Sequence, residues 1–215
     1  MLPQNLSPVE VRVLGSLIEK ELATPEHYPL SLNALVNACN QMSNRDPVTA
    51  FDEQTVSGAI DVLRRLGFVR SFQGSGERVA KYRHLLEDAE NLSRAERAVL
   101  GVLLLRGAQT SAEIRTRAAR LIGSDDPASA DAALEALISR APAPAATRLP
   151  RRPGQKEMRY AHLLAGDVSH EAEDAPAPIA PSVDRVASLE EEVRELRNEV
   201  SDLRAQLEGF RKQFA

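Results

Sequence analysis

The sequence predicts a mostly helical α+β chain in which small β-hairpins close helical units, and three observations predict it. A segment near the start recurs in the middle of the chain. Each copy runs from helical periodicity into a strand-turn-strand pattern. The last thirty residues carry an unbroken heptad.

The repeat comes first. Leu6-Ser7-Pro8-Val9-Glu10-Val11-Arg12-Val13-Leu14-Gly15-Ser16-Leu17 aligns with Leu92-Ser93-Arg94-Ala95-Glu96-Arg97-Ala98-Val99-Leu100-Gly101-Val102-Leu103, identical at the Leu, Ser, Glu, Val, Leu, Gly and Leu positions. The copies close on Tyr82-Arg83-His84-Leu85-Leu86 and Tyr160-Ala161-His162-Leu163-Leu164. Matched starts and ends mark a duplicated unit of domain size, not a solenoid of short repeats. They predict domains at 1–87 and 92–165.

Within each copy the elements follow from local chemistry. Ser7 and Ser93 are N-caps, and a Glu three residues later completes a capping box. Pro8 occupies the favoured first helical position, and Val9, Val13, Leu17 and Ile18 keep helical spacing. A second helix begins at Ser31 and carries Leu32, Leu35, Val36 and Cys39. A third begins near Asp52-Glu53 with Val56, Ala59, Ile60, Leu63 and Leu66 inward, and stops at Gly67. Segments 68–73 and 78–83, joined by Gly74-Ser75-Gly76, read as a hairpin. The second copy repeats this with helices over 93–106, 111–122 and 128–140. Its hairpin spans 146–150 and 155–161 and turns at Arg152-Pro153-Gly154. Three helices followed by a hairpin is the winged-helix arrangement, so the chain reads as two tandem winged-helix domains.

Residues 166–185, rich in Asp, Glu, Ala and Pro, have little to bury and read as a flexible linker. A coiled coil follows over 186–214. Val186, Val193, Val200 and Leu207 fall at position a, and Leu189, Leu196, Leu203 and Phe210 at d. Val at a with Leu at d favours a parallel two-stranded coil, and Glu192 and Glu199 at g face Arg197 and Arg204 at e of a partner. A homodimer through these residues is expected. The competing reading is one amphipathic helix folded back on its own domains.

Composition narrows the function. The 215 residues include 27 Lys+Arg and 31 Asp+Glu, a net charge of −4, with no Trp and 4% aromatics. A core of Leu, Val, Ile and Ala is implied. The lack of stacking rings makes single-stranded nucleic acid the least favoured polymer partner. No apolar run of ~18 residues reaches spanning length, and MLPQNLSPVE has neither a basic n-region nor an apolar h-region. With one cysteine, Cys39, unable to pair internally, a cytoplasmic protein without a membrane partner is expected. The charge is uneven: 1–87 nets −1, 92–165 nets +5 and 166–215 nets −6. A basic middle is masked by an acidic tail.

The first copy also carries Thr24-Pro25-Glu26-His27-Tyr28-Pro29-Leu30-Ser31-Leu32-Asn33-Ala34-Leu35 and then Ala38-Cys39-Asn40-Gln41-Met42-Ser43-Asn44-Arg45-Asp46-Pro47-Val48. The second carries Leu103-Leu104-Leu105-Arg106-Gly107-Ala108-Gln109-Thr110. With the closing Tyr-x-His-Leu-Leu and the terminal heptads, these stretches resemble the YceH-like family of uncharacterised bacterial proteins, over essentially the whole chain. Met42 stands where that family usually has Lys, so a basic contact is missing there. The resemblance implies a tandem winged-helix fold in the bacterial cytoplasm, and it supplies no activity.

A winged helix ordinarily presents its third helix to the major groove and its hairpin to the backbone. In the first copy Gln54, Thr55, Ser57, Arg64 and Arg65 face outward as DNA-binding candidates, Gln54 and Thr55 for base edges and the arginines for phosphate; the hairpin adds Arg70, Arg78, Lys81 and Arg83. In the second copy Asp131 and Glu135 on the third helix oppose phosphate, while the hairpin brings Arg148, Arg151, Arg152, Lys156 and Arg159. The expected function is that of a dimeric regulator binding double-stranded DNA. The alternative is an adaptor that uses the same domains to bind an unidentified protein. A long 41–52 connection and a first copy of net charge −1 weigh against DNA. The polar run Asn37, Asn40, Gln41, Ser43, Asn44 and Arg45 reads as the internal satisfaction of a long ordered loop, not as a ligand site. His27, His84, His162 and His170 are scattered without metal spacing, and no nucleotide fingerprint is present. No enzyme activity, metal or cofactor is therefore expected.

Overall fold

The computed structural model describes residues 2, 5–73, 79–123, 126–151 and 157–166. The heptads, the linker and both hairpin turns lie outside them. The first half runs α1 (Pro8–Ala23), β1 (Leu30–Ser31), α2 (Leu32–Cys39), α3 (Glu53–Arg65), β2 (Val69–Phe72) and β3 (Lys81–His84), followed by a short α4 (Leu86–Glu90). The second runs α5 (Arg94–Arg106), β4 (Gln109–Thr110), α6 (Ser111–Ile122), α7 (Pro127–Ile138), β5 (Ala146–Arg148) and β6 (Arg159–His162). Each half holds a three-stranded antiparallel sheet with the last strand in the middle, β1-β3-β2 and β4-β6-β5.

The local signals behave as their chemistry dictates. Ser7 and Ser93 form complete capping boxes with Glu10 and Glu96, and Thr110 forms a third with Glu113. Gly67 terminates α3 at φ +80°, where a side chain would be strained. The stripe Val56, Ala59, Ile60 and Leu63 is buried as predicted. Leu66 is the exception. It is the C-cap of α3 and is 48% exposed, because the helix has ended before its side chain reaches the core. The two-residue strands β1 and β4 and the short α4 carry no periodicity that a sequence reading detects.

Helices α1 and α5 depart most from an amphipathic picture. Val11 through Ile18 and Arg97 through Leu105 are buried on every face. One face meets the rest of its own half and the other meets its counterpart, so the two halves share one hydrophobic core. The contact is symmetric in sequence. Gly15 lies against Leu104 and Leu105, and Gly101 lies against Ile18. Backbone ties reinforce the seam: Leu6 N–H donates to Leu164 O (2.8 Å) and Asp46 N–H to Leu105 O (2.9 Å). Arg94 reaches from α5 to Leu22 O at 3.1 Å.

The matched histidines occupy unlike surroundings. His84 is buried, its Nε2 is 2.9 Å from Glu21 Oε2, and its Nδ1 accepts from Leu86 N–H at 3.3 Å. Glu21 corresponds in the second half to Gly107, which offers no carboxylate. His162 Nδ1, unlike the Nδ1 of His84, is buried without a partner, and burial pushes its pKa down to about 4. A ring that resists protonation in the folded state, against about 6.5 when unfolded, contributes stability that is full above about pH 6.5 and is lost as pH falls toward 4. A histidine NMR titration is expected to leave the His162 ring neutral at pH 5.5. Titration near 6.5 would contradict its burial.

Candidate nucleic-acid interface

The candidate interface is built on α3 because its apolar stripe commits one face to the core and leaves the other outside. Gln54, Thr55, Arg64 and Arg65 are exposed, and Ser57 is half-buried. The first turn is held by Asp52, whose carboxylate accepts from the Thr55 N–H at 2.7 Å. Hydrogen bonds from the Thr55 hydroxyl and backbone hold the Asp52 carboxyl below the usual range. Thr55 is thus engaged in capping, and the acidic Asp52-Glu53 pair makes this end of α3 less welcoming to phosphate than its other end.

Cations gather at the C-terminal end of α3. Arg64, Arg65 and Arg70 line an open groove of about 640 Å³ between the end of α3 and β2. Arg64 makes an exposed ion pair with Asp61 at 3.3 Å. Arg65 and Arg70 have no ion pair among the described residues. The β2–β3 register sets Arg70 opposite Arg83 and Phe72 opposite Lys81. Side chains alternate across a strand, so these four share the face opposite buried Val69 and His84. The Arg83 guanidinium stacks 5.6 Å from the Phe72 ring centroid, which holds one cation of this face in place.

Three arginines of the second half are engaged internally. Arg148 bonds Glu135 of α7. Arg159 bonds the Ala108 carbonyl, and Arg115 pairs with Asp131 at 3.0 Å. Asp131 and Glu135, the acids on the third helix, are therefore the partners of neighbouring arginines. Arg151 is exposed. Arg78, Arg152 and Lys156 lie outside the described residues, as do the dimerisation residues Val186, Leu189, Val193, Leu196, Val200, Leu203, Leu207 and Phe210.

Of the polar run, Arg45 is buried and Asn40 and Gln41 are half-buried, whereas Asn37, Ser43 and Asn44 are exposed. The Arg45 side chain is fully buried and donates to Ala38 O (3.0 and 2.7 Å), Gln41 Oε1 (3.1 Å) and Glu19 Oε2 (2.6 Å). Arg12 donates to Cys39 O (3.1 Å) and Pro47 O (2.6 Å). Asn40 both donates to Phe51 O (2.7 Å) and accepts from Phe51 N–H (2.8 Å). These bonds satisfy the backbone of the long connection and tie it to α1. Cys39 is buried among them, and burial pushes its thiol pKa up. Among the described residues no three His, Cys, Asp or Glu side chains form a candidate metal-ligand group. None of the described helices is long and apolar enough to cross a membrane.

Sequence comparison places the chain among relatives. A family described as "Protein of unknown function, DUF480" matches residues 6–155. A UPF0502 protein of Geobacter metallireducens is 53% identical over 216 aligned positions, covering 97% of this chain and 98% of the relative. A UPF0502 protein of Opitutus terrae is 50% identical over 188, covering 87% and 81%. One from Solibacter usitatus is 47% identical over 194, covering 89% and 92%.

Proposed function

Because the chain belongs to the DUF480 family of UPF0502 proteins, which is described without an activity, its role must be read from its own surface, and we propose that it binds double-stranded DNA through the first half. In this reading each half is a winged helix, α3 is the groove-facing helix and the β2–β3 hairpin is the wing. The protein acts by binding, without catalysis, in the cytoplasm. The heptads of residues 186–214 bring two copies together and raise avidity.

The observation that carries the proposal is the convergence of Arg64, Arg65 and Arg70 around one open groove, continuous with the sheet face bearing Lys81 and Arg83. Three guanidiniums around one groove suit phosphate contacts, and Gln54 supplies the one exposed amide of α3 for a base edge. The pairing of Arg148 and Arg159 within the second half moves the weight of the interface onto the first.

Fluorescence anisotropy on a random-sequence duplex tests this. Binding should weaken steeply with salt. Replacing Arg64, Arg65 and Arg70 together by Ala should flatten the slope of log affinity against log salt by about 0.9 for each phosphate that is no longer neutralised. Absence of binding even at low salt would remove the proposal. That result would favour the adaptor reading, which rests on the exposed Met42 and Val48 in the connection before α3.

A further inference from the structure

A second site lies away from α3, in a cleft of about 290 Å³ where α5 and α6 of the second half meet α1 of the first. One wall is cationic, formed by Arg106, Arg117 and Arg120. The floor is apolar, formed by Val102, Leu105 and Leu121. Two guanidinium nitrogens are stranded there. Arg106 Nε is buried without a hydrogen-bond partner. Arg117 Nη1, equally buried, approaches Glu113 Oε1 at 3.3 Å without hydrogen-bond alignment. Buried donors are ordinarily satisfied, so the unpartnered Arg106 Nε and the poorly aligned Arg117 Nη1 ask for an acceptor that the described residues do not fully provide.

The duplication shows why the acceptor is missing. Aligning the N-caps Ser7 with Ser93 and Ser31 with Thr110 sets Arg106 on Lys20, Arg117 on Ala38 and Arg120 on Gln41. In the first half those positions close on themselves. Lys20 reaches Gln41 Oε1 at 3.2 Å, and Arg45 from the long α2–α3 connection fills the space between Ala38 and Glu19. In the second half Glu19 is replaced by Leu105, and the short connection from Ile122 to Pro127 contributes no counterpart of Arg45. The space is left open, and of its three arginines only Arg117 has an ion pair among the described residues, with Glu113 at 3.3 Å. Glu19, which also lines the cleft, is already held by Arg45 at 2.6 Å and Lys20 at 3.1 Å. Around the cleft Lys20, Arg45, Arg106, Arg117 and Arg120 face the three acids Glu19, Asp46 and Glu113. Burial, and then the charge of Arg117, lower the pKa of the Arg106 guanidinium, against the opposing charges of Asp46 and Glu113.

We propose that this cleft binds a small organic anion, a carboxylate or phosphate carried on an apolar body, with the oxyanion on Arg106, Arg117 and Arg120 and the body on Val102, Leu105 and Leu121. Planar guanidiniums suit either oxyanion by paired hydrogen bonds. Convergent polar groups beside an apolar floor can fix the orientation of a small molecule. The site is independent of the DNA reading and stands if that reading fails.

Isothermal titration calorimetry on the full chain tests it, with phenyl phosphate and benzoate as probes and inorganic phosphate and benzyl alcohol as their separated halves. At least one joined probe should bind about tenfold or more tightly than either of its halves. Arg117→Gln with Arg120→Gln should weaken that binding by about tenfold or more. Thr116→Trp, at an exposed position on the cleft rim, should block binding by filling the space without altering charge. Circular dichroism confirms the fold of each variant, and the Trp variant keeps the test decisive if the Arg pair fails to fold. Failure of both joined probes to bind at millimolar concentration would overturn the proposal. So would binding unchanged by Thr116→Trp, or inorganic phosphate matching the joined probes.

Discussion

Glu19→Gln is expected to lower folding stability by about 3–5 kcal/mol, the cost of leaving a buried cation without its counter-charge. The Arg45 side chain is fully buried, and Glu19 is 9% exposed. A glutamine can still accept one hydrogen bond from Arg45, but it cannot neutralise it. The loss would spread through the connection, because Arg45 also holds the Ala38 carbonyl and Gln41, and Asp46 beside it bonds Leu105 of the second half. A urea midpoint that falls with an unchanged slope would report this as a stability change. The double replacement Glu19→Leu with Arg45→Met should cost much less, since removing both charges removes the desolvation penalty with the attraction. A single-variant loss below about 1 kcal/mol would show that the pair does not hold the connection.

The same pair sets an acid limit. Burial alone would raise the Glu19 carboxyl, but the hydrogen bond and charge of Arg45, with help from Lys20, outweigh it and hold its pKa below the ordinary value. A carboxyl depressed in the folded state contributes stability present above the unfolded pKa near 4.3 and lost as pH falls through the folded value. The wild-type chain should therefore lose this contribution on acidification below about pH 4, and the Gln variant should lack that component.

Much of this architecture was legible because its signals are local. The serine caps, the stripe on α3 and the glycine stop at Gly67 each involve residues within a turn or two of one another, and each forms as read except for the exposed Leu66 at the end of the stripe. What was not legible is tertiary. Arg12, Glu19 and Arg97 are charged helical residues with no local signal for burial, yet all three are buried. Glu19 finds its partner 26 residues away, after the chain has doubled back. The candidate site divides in the same way. The outward face of α3 follows from periodicity alone, whereas the engagement of Arg148 with Glu135 and of Arg115 with Asp131 depends on how two elements pack. The cleft was the least visible feature, because it is made by a connection being short in one half and long in the other.

The seam between the halves yields the sharpest test, since three helical glycines differ only in what surrounds them. A Cβ on Gly58 of α3 would meet nothing within 4 Å. Gly58→Ala should therefore raise stability by about 0.5–1 kcal/mol, the ordinary gain in helix propensity. At Gly101 the added methyl would lie 3.0 Å from Ile18 Cγ2, a terminal methyl, and 3.6 Å from Ile18 Cβ. A small shift of one side chain offsets the propensity gain, and Gly101→Ala should be close to neutral. At Gly15 it would lie 3.0 Å from Leu104 Cβ and as close to Leu105 Cγ and Cδ2. A Cβ moves only with its backbone, so α5 itself must give way, and Gly15→Ala should destabilise. Gly15→Leu should cost about 3 kcal/mol or more, because a core packed at this density has no room for four carbons at a helix crossing. Urea midpoints ranked Gly58→Ala, Gly101→Ala, Gly15→Ala and Gly15→Leu from highest to lowest would establish α1 against α5 as the contact that joins the halves. If Gly15→Leu matched Gly58→Ala, the two helices would not meet there, and the halves would have to be treated as separate domains.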